Sequence, residues 1–223
     1  MINSAVRSVL LARLRAVLCS LVMVFFLQPD ESYSAQQEQG FTLYIQQLPP
    51  YSMELDGELT GLAVEIVELL FSRAELAARF EMIPWSRAYR MTASSEQSCL
   101  FPIQRTQERE SQFHWISPLV ITRTGFFTRT DMPFEIRTLE DVRGLQIASY
   151  RGSAIAEYLA GFGYQVDISN DESVNLKRLQ IQRVDVWATD TLTAAYFINR
   201  TGVENLHNQL TFFTTLRALA CNI

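Results

Sequence analysis

The chain has 223 residues, 48% hydrophobic and 19% charged, which is enough apolar material for a packed core. Its net charge of −5, with no basic stripe interleaved with aromatics, argues against nucleic acid as a partner. Three cysteines and two histidines, widely separated, fit neither a small disulfide framework nor a metal site, and no cofactor is expected.

At the amino terminus Arg7, Arg13 and Arg15 precede an uncharged run over residues 16–27, then polar residues and the small Ser32, Ser34 and Ala35. This pattern predicts a cleavable secretory signal over residues 1–35, with the mature chain starting near Ala35 or Gln36. The run is shorter than the ~20 residues of a membrane span, so an uncleaved anchor is the second choice. Cys19 lies inside the run after bulky Leu18, an unsuitable context for lipid attachment. The remaining ~190 residues allow one large or two small domains. They keep Cys99 and Cys221, either as one disulfide or as two buried thiols. His114 and His207 are isolated and read as structural.

Strand and helix then alternate. Residues 41–46 alternate apolar and polar as a strand does, Asp56-Gly57 marks a turn, and residues 61–73 form a helix burying Leu62, Ala63, Ile66, Val67 and Leu70. A strand at 80–83 leads through Pro84 into a helix carrying Trp85, and a strand at 99–103 runs into a polar segment, 104–110, read as opening a helix. The β-branched and aromatic run 120–130 is long enough to leave one lobe and enter another. After Met132-Pro133 the pattern repeats: a short helix at 139–142, a strand at 145–149, a helix from Gly152-Ser153 to Ala160 and a strand at 164–168. A helix at 172–182, a strand at 184–188 and a helix at 190–199 capped by Asp190 or Thr191 complete the second lobe. Strands at 210–214 and 216–221 follow, the latter returning to the first lobe. The expected fold is α/β and two-lobed with a double crossover, with a βα sandwich and a central mixed sheet in each lobe. Lobe 1 covers residues 36–126 with the return segment 216–223, and lobe 2 covers 127–215.

Open α/β sheets bind ligands beyond the carboxyl ends of their strands. Those positions hold Pro49-Pro50-Tyr51-Ser52, Pro84-Trp85 and residues 104–109 in the first lobe, and Arg151-Gly152-Ser153-Ala154 and Thr189-Asp190 in the second. A zwitterion suits this set: its carboxylate on Arg109 and the helix start at Ser153 and Ala154, its ammonium on Asp190, its side chain against Tyr51 or Trp85. Gln104 and Thr106 complete the rim. Each has a purely structural alternative: Trp85 and Tyr51 as packing aromatics, Asp190 as a helix cap.

Pro50-Tyr51-Ser52, Gly57-Glu58-Leu59-Thr60-Gly61, Pro84-Trp85, Phe101-Pro102-Ile103 with Thr106-Gln107-Glu108-Arg109, Leu139-Glu140-Asp141-Val142-Arg143-Gly144, Arg151-Gly152-Ser153 and Val184-Asp185 with Asp190 run in order along the chain. The series resembles the extracytoplasmic solute-binding proteins, family 3, of polar amino-acid ABC transporters. The resemblance implies the periplasmic binding protein type II fold, a periplasmic location and a monomer whose hinge closes two lobes on a small solute, after which the closed form docks on an ABC permease in the inner membrane. It also implies that Arg109, Ser153 and Ala154 hold the ligand carboxylate, that Asp190 holds its ammonium, and that Trp85 and Tyr51 line the side-chain pocket.

This chain departs from that family at Pro102 and Gln104, where hydroxyl residues are frequent, and at Leu48, where an aromatic is frequent. These departures point towards a solute that is an amino acid or a different small carboxylate. Family members also continue past the returning strand into a helix on lobe 1, which the sequence to Ile223 does not include. If that strand lies beside Cys99, a Cys99–Cys221 disulfide becomes possible. The same fold serves cyclohexadienyl dehydratase-like enzymes and the sensor domains of signalling proteins. An enzyme needs an acid or base in the cleft; neither histidine falls at a strand end and Glu108 is the one spare acid near Arg109, so binding without chemistry is expected.

Overall fold

The computed structural model describes residues 40–222. The expected signal segment, the start of the mature chain and Cys19 lie outside the described residues. In chain order the elements are β1 (Phe41–Ile45), β2 (Met53–Leu55), β3 (Glu58–Thr60), α1 (Leu62–Arg73), β4 (Ala78–Met82), α2 (Trp85–Ser94), β5 (Ser98–Gln104), β6 (His114–Arg129), β7 (Ile147–Tyr150), α3 (Ala154–Gly161), β8 (Val166–Ser169), α4 (Glu172–Gln180), β9 (Val186–Asp190), α5 (Thr191–Thr201) and β10 (Leu206–Asn222). Asp56 and Gly57, both at positive φ, make the tight turn between β2 and β3, the geometry that a two-residue hairpin requires.

The two-lobed α/β arrangement with its double crossover is present, and the central sheets of the lobes join into one. The strand order is β4-β1-β5-β10-β6-β9-β7-β8. In lobe 1, β1 lies parallel between β4 and β5; in lobe 2, β7 lies parallel between β8 and β9. Two long antiparallel strands, β6 and β10, pair from Cys221↔His114 to Leu206↔Arg129 and run through both lobes. The carboxyl end of β10 also pairs with β5, and the carboxyl end of β6 with β9. Sixteen or more residues at ~3.3 Å each span roughly 50 Å, so this pair is the structural spine of the molecule.

Alternation along the strands builds a core on each face of each lobe. Leu43, Ile45 and Phe101 face α1, while Tyr44 and Leu100 pack with Ala88 of α2. Phe126, Ile147 and Val186 face Ile155 and Leu159 of α3; Phe127, Ala148 and Trp187 face Leu176 and Leu179 of α4 and Phe197 of α5. Cys99 and Cys221 sit opposite one another on β5 and β10 and form a disulfide inside the first of these cores.

Four expectations change. The helix expected to open at 104–110 is a turn followed by a single 3-10 turn, Glu110–Gln112; Phe113 must enter the core and β6 must start at His114, which leaves no length for a helix. The crossover starts at His114 rather than Val120, and the two expected final strands are one, β10. In α1 the buried face is Ala63, Val64, Val67 and Phe71, with Leu62 and Ile66 exposed.

Candidate functional site

The carboxyl ends of the strands from both lobes converge on one seam. After β1 the chain doubles back, with Leu48 N–H donating to Ser52 O at 2.7 Å and Ser52 N–H to Leu48 O at 3.1 Å. This turn buries Tyr51 completely and aims its hydroxyl at Asp190, where it donates to Oδ1. Asp190 ends β9 and caps α5, accepting from Leu192 N–H at 3.0 Å. Its other oxygen lies 3.7 Å from the guanidinium of Arg217, which is 1% exposed and stacks 4.6 Å over the Tyr51 ring. Burial alone disfavours the charge on Arg217, but Tyr150, Asp190 and Tyr51 outweigh it and hold the guanidinium protonated. Burial, reinforced by Asp190, pushes the Tyr51 phenol well up, so it stays a donor.

Gln104 and Arg109 tie the seam on the other side. Gln104 Oε1 accepts from Ala154 N–H at 2.7 Å, and its amide nitrogen donates to Thr215 Oγ1 at 2.9 Å. Arg217 Nη2 donates to Tyr150 Oη at 3.1 Å. Arg109 is buried, donates to the carbonyls of Gln104 and Gly152 at 3.1 and 3.3 Å, pairs with half-exposed Glu157 at 2.5 Å, and lies 5.3 Å over the Trp85 ring. Trp85 opens α2 and packs on Gly152. That glycine has φ +86°, and a Cβ there would lie 2.4 Å from the indole, so only glycine lets the two lobes approach here. Thr193 Oγ1 donates to Pro49 O at 2.9 Å, a further link between the lobes.

Beside the seam lies a cavity of 310 Å³ walled by the ends of β1, β4, β7 and β8 and the start of α4. Leu48, Met82, Ile83, Pro84 and Trp85 give it an apolar wall, and Gln46, Gln47, Asn170, Arg151, Tyr150 and Glu172 its polar groups. Glu172 is buried and its carboxylate accepts from Trp187 Nε1 at 2.8 Å, Asn175 Nδ2 at 2.9 Å and the Thr189 hydroxyl. Burial pushes its carboxyl up. A second cavity, of 430 Å³, lies against the outer side of α3 and is lined in part by Thr106, Ala154, Glu157 and half-open Tyr158 and Phe162.

The structure thus brings Tyr51, Gln104, Arg109, Ser153, Ala154 and Asp190 together, places Trp85 on the wall of the first cavity, and leaves Thr106 on the second. Partners expected from a ligand are made within the chain for two of these groups, Glu157 and two carbonyls for Arg109 and Gln104 for the Ala154 N–H, while Asp190 Oδ2 faces Arg217 at 3.7 Å and takes no hydrogen bond. Ser153 caps α3 through Ala156 N–H at 3.4 Å. Arg217, Tyr150, Glu157 and Glu172 were not found from the sequence. Arg217 had a signal, a lone charge inside the apolar strand Leu216 to Cys221, since an arginine enters a core only with partners.

The pattern of the bacterial extracellular solute-binding proteins, family 3, matches residues 43–213. The chain belongs to this family. The L-cystine-binding protein TcyJ of Escherichia coli is 22% identical over 157 residues, 69% of this chain and 59% of that protein, so the aligned part spans well under two thirds of the relative. Among solved structures, a histidine kinase sensor domain with similarity to periplasmic binding proteins superposes with a TM-score of 0.78 at 22% identity, covering 83% of each chain. An ancestral arginine-binding protein bound to arginine gives 0.72 at 16% identity, covering 82% of this chain and 84% of that one. The GluR0 ligand-binding core from Nostoc punctiforme with L-glutamate gives 0.73 at 16%, with the same coverage. The fold of this family member is the two-lobed periplasmic binding protein type II fold. No helix among the described residues is long and apolar enough to cross a membrane.

Proposed function

We propose that the protein captures a small carboxylate-bearing solute, of amino-acid size, between its two lobes and delivers it to an ABC permease in the membrane. The 310 Å³ cavity carries this reading: it is walled by strand ends from both lobes and has the size and mixed lining of a small-molecule site. The Cys99–Cys221 disulfide supports an oxidising compartment, the periplasm, as the place of work. Lobe 1, residues 36–126 with 216–223, and lobe 2, residues 127–215, then move about the crossing of β6 and β10. In this proposal Trp85 forms the pocket wall, and Tyr51, Gln104, Arg109, Ser153, Ala154 and Asp190 form the closing seam beside it. The chain works as a monomer, without chemistry on its solute.

A thermal melt with a panel of amino acids and small carboxylates tests the reading. Saturation at about 100 times the dissociation constant adds ~2.7 kcal/mol, a rise of roughly 5–10 °C for a domain of this size. One ligand class should produce it, and recovery of that ligand unchanged would separate binding from catalysis.

A sensor role is the second reading, favoured by the superposition on a histidine kinase sensor domain. Deleting the gene should abolish uptake of labelled solute if delivery is the role; intact uptake with a lost response to the solute would favour sensing.

A further inference from the structure

We propose that the solute is an organic anion with an apolar body and no ammonium group, seated in the 310 Å³ cavity with its carboxylate on Arg151 and its body against Trp85. This rests on the solute-binding reading above and names the chemical class of the ligand.

The argument starts from charge. Of the groups lining the cavity, Arg151 and Glu172 are the ionisable pair of opposite sign. Glu172 is largely engaged: it is buried and its two oxygens take three donors from Trp187, Asn175 and Thr189. Arg151 is not. Its Nε donates to Asn170 Oδ1 at 2.8 Å, which orients the guanidinium, and its two terminal nitrogens take no partner among the described residues. A guanidinium held by Nε presents the fork that binds a carboxylate in two parallel hydrogen bonds.

The ammonium receptor is closed for the opposite reason. Asp190 is 2% exposed, holds the Tyr51 hydroxyl and Leu192 N–H on one oxygen, faces Arg217 with the other, and does not line the cavity. The Arg217 guanidinium already faces Asp190, and the Gln104 amide oxygen already accepts from the Ala154 N–H. An ammonium entering the 310 Å³ cavity meets Arg151 and the apolar wall of Leu48, Met82, Ile83 and Trp85, and the carboxylate on its lining, Glu172, already holds three donors. A second cation beside the guanidinium and against an apolar wall is disfavoured, whereas an apolar acid satisfies both the wall and the arginine.

Calorimetric titration of the full chain with matched pairs tests this: 3-phenylpropanoate against L-phenylalanine, and 4-methylpentanoate against L-leucine. The acid of at least one pair should bind at least tenfold more tightly than its amino acid, and Arg151→Gln, at an exposed position, should weaken the acid tenfold or more without changing the melting temperature. Amino acids binding as well as or better than the acids, or an Arg151→Gln protein of unchanged affinity, would overturn the proposal while leaving solute capture standing. Binding of neither series, and no shift with the wider panel, would overturn both.

Discussion

Arg217 and Asp190 show how much one residue can decide. Both are nearly fully buried, and breaking such a pair by removing one partner typically costs about 3–5 kcal/mol because the other charge is stranded. Arg217→Met is therefore expected to lower the melting temperature by roughly 10 °C, with Asp190→Asn in the same background recovering part of the loss. A double-mutant cycle by thermal denaturation checks this coupling. Gly152 makes a different demand. Gly152→Ala must place a methyl group 2.4 Å from the Trp85 indole at a positive φ, so the indole shifts; an expected loss of about 1–3 kcal/mol should appear in melts together with a changed tryptophan emission. Glu172 sets a pH dependence. Its folded-state value is raised by burial, so the native protein holds this proton more tightly than the unfolded chain. Stability from this group is fully present below the ordinary carboxylate range and is lost as pH rises through the folded value. The melting temperature of Glu172→Gln should accordingly gain on that of the natural protein as pH rises above the ordinary carboxylate range; a constant difference would mean that the three donors keep Glu172 ionised throughout.

At the scale of elements, β10 is the strand that most resisted reading. Bulges between Asn208 and Leu210, Thr211 and Phe213, and Arg217 and Leu219 interrupt its two-residue alternation, so the sequence shows two short strands where the chain forms one. The register of α1 was also underdetermined, because Leu62 and Ile66 repeat at helical spacing as well as Val64 and Phe71 do, and the choice between stripes is made by the sheet and not by the helix. The order of strands and helices, the hairpin at Asp56-Gly57 and the caps at Ser153 and Asp190 were legible because their signals are local. The Arg217–Asp190, Gln104–Ala154 and Arg109–Glu157 contacts were not, since each joins elements that only the fold brings together. The Cys99–Cys221 bond closes a loop with a sequence separation of 122, for which chain entropy in the unfolded state predicts about 4–5 kcal/mol. Reduction should lower the melting temperature by roughly 8–20 °C, and peptides containing Cys99 and Cys221 should resist alkylation until reductant is added. Ready alkylation of either in the folded or denatured unreduced protein would remove the bond from the account.

For the molecule as a whole, closure is held by the chain's own groups: Tyr51 on Asp190, Thr193 on Pro49, and Arg109 on Gly152 and Glu157. A ligand shifts a lobe equilibrium only by its differential affinity for the two states, so a seam already tied leaves less for the ligand to do. Arg109→Ala should loosen it and raise the radius of gyration of the protein alone in small-angle scattering; an unchanged profile would mean that the remaining contacts suffice. The place of β10 in the sheet has one more consequence. It lies between β5 and β6 yet follows every other described strand in the chain, so during synthesis both neighbours present open edges until residues 206–222 arrive. The centre of the sheet is thus the last part of the described fold to be completed, and a chain stalled before residue 206 exposes two strand edges open to wrong pairing.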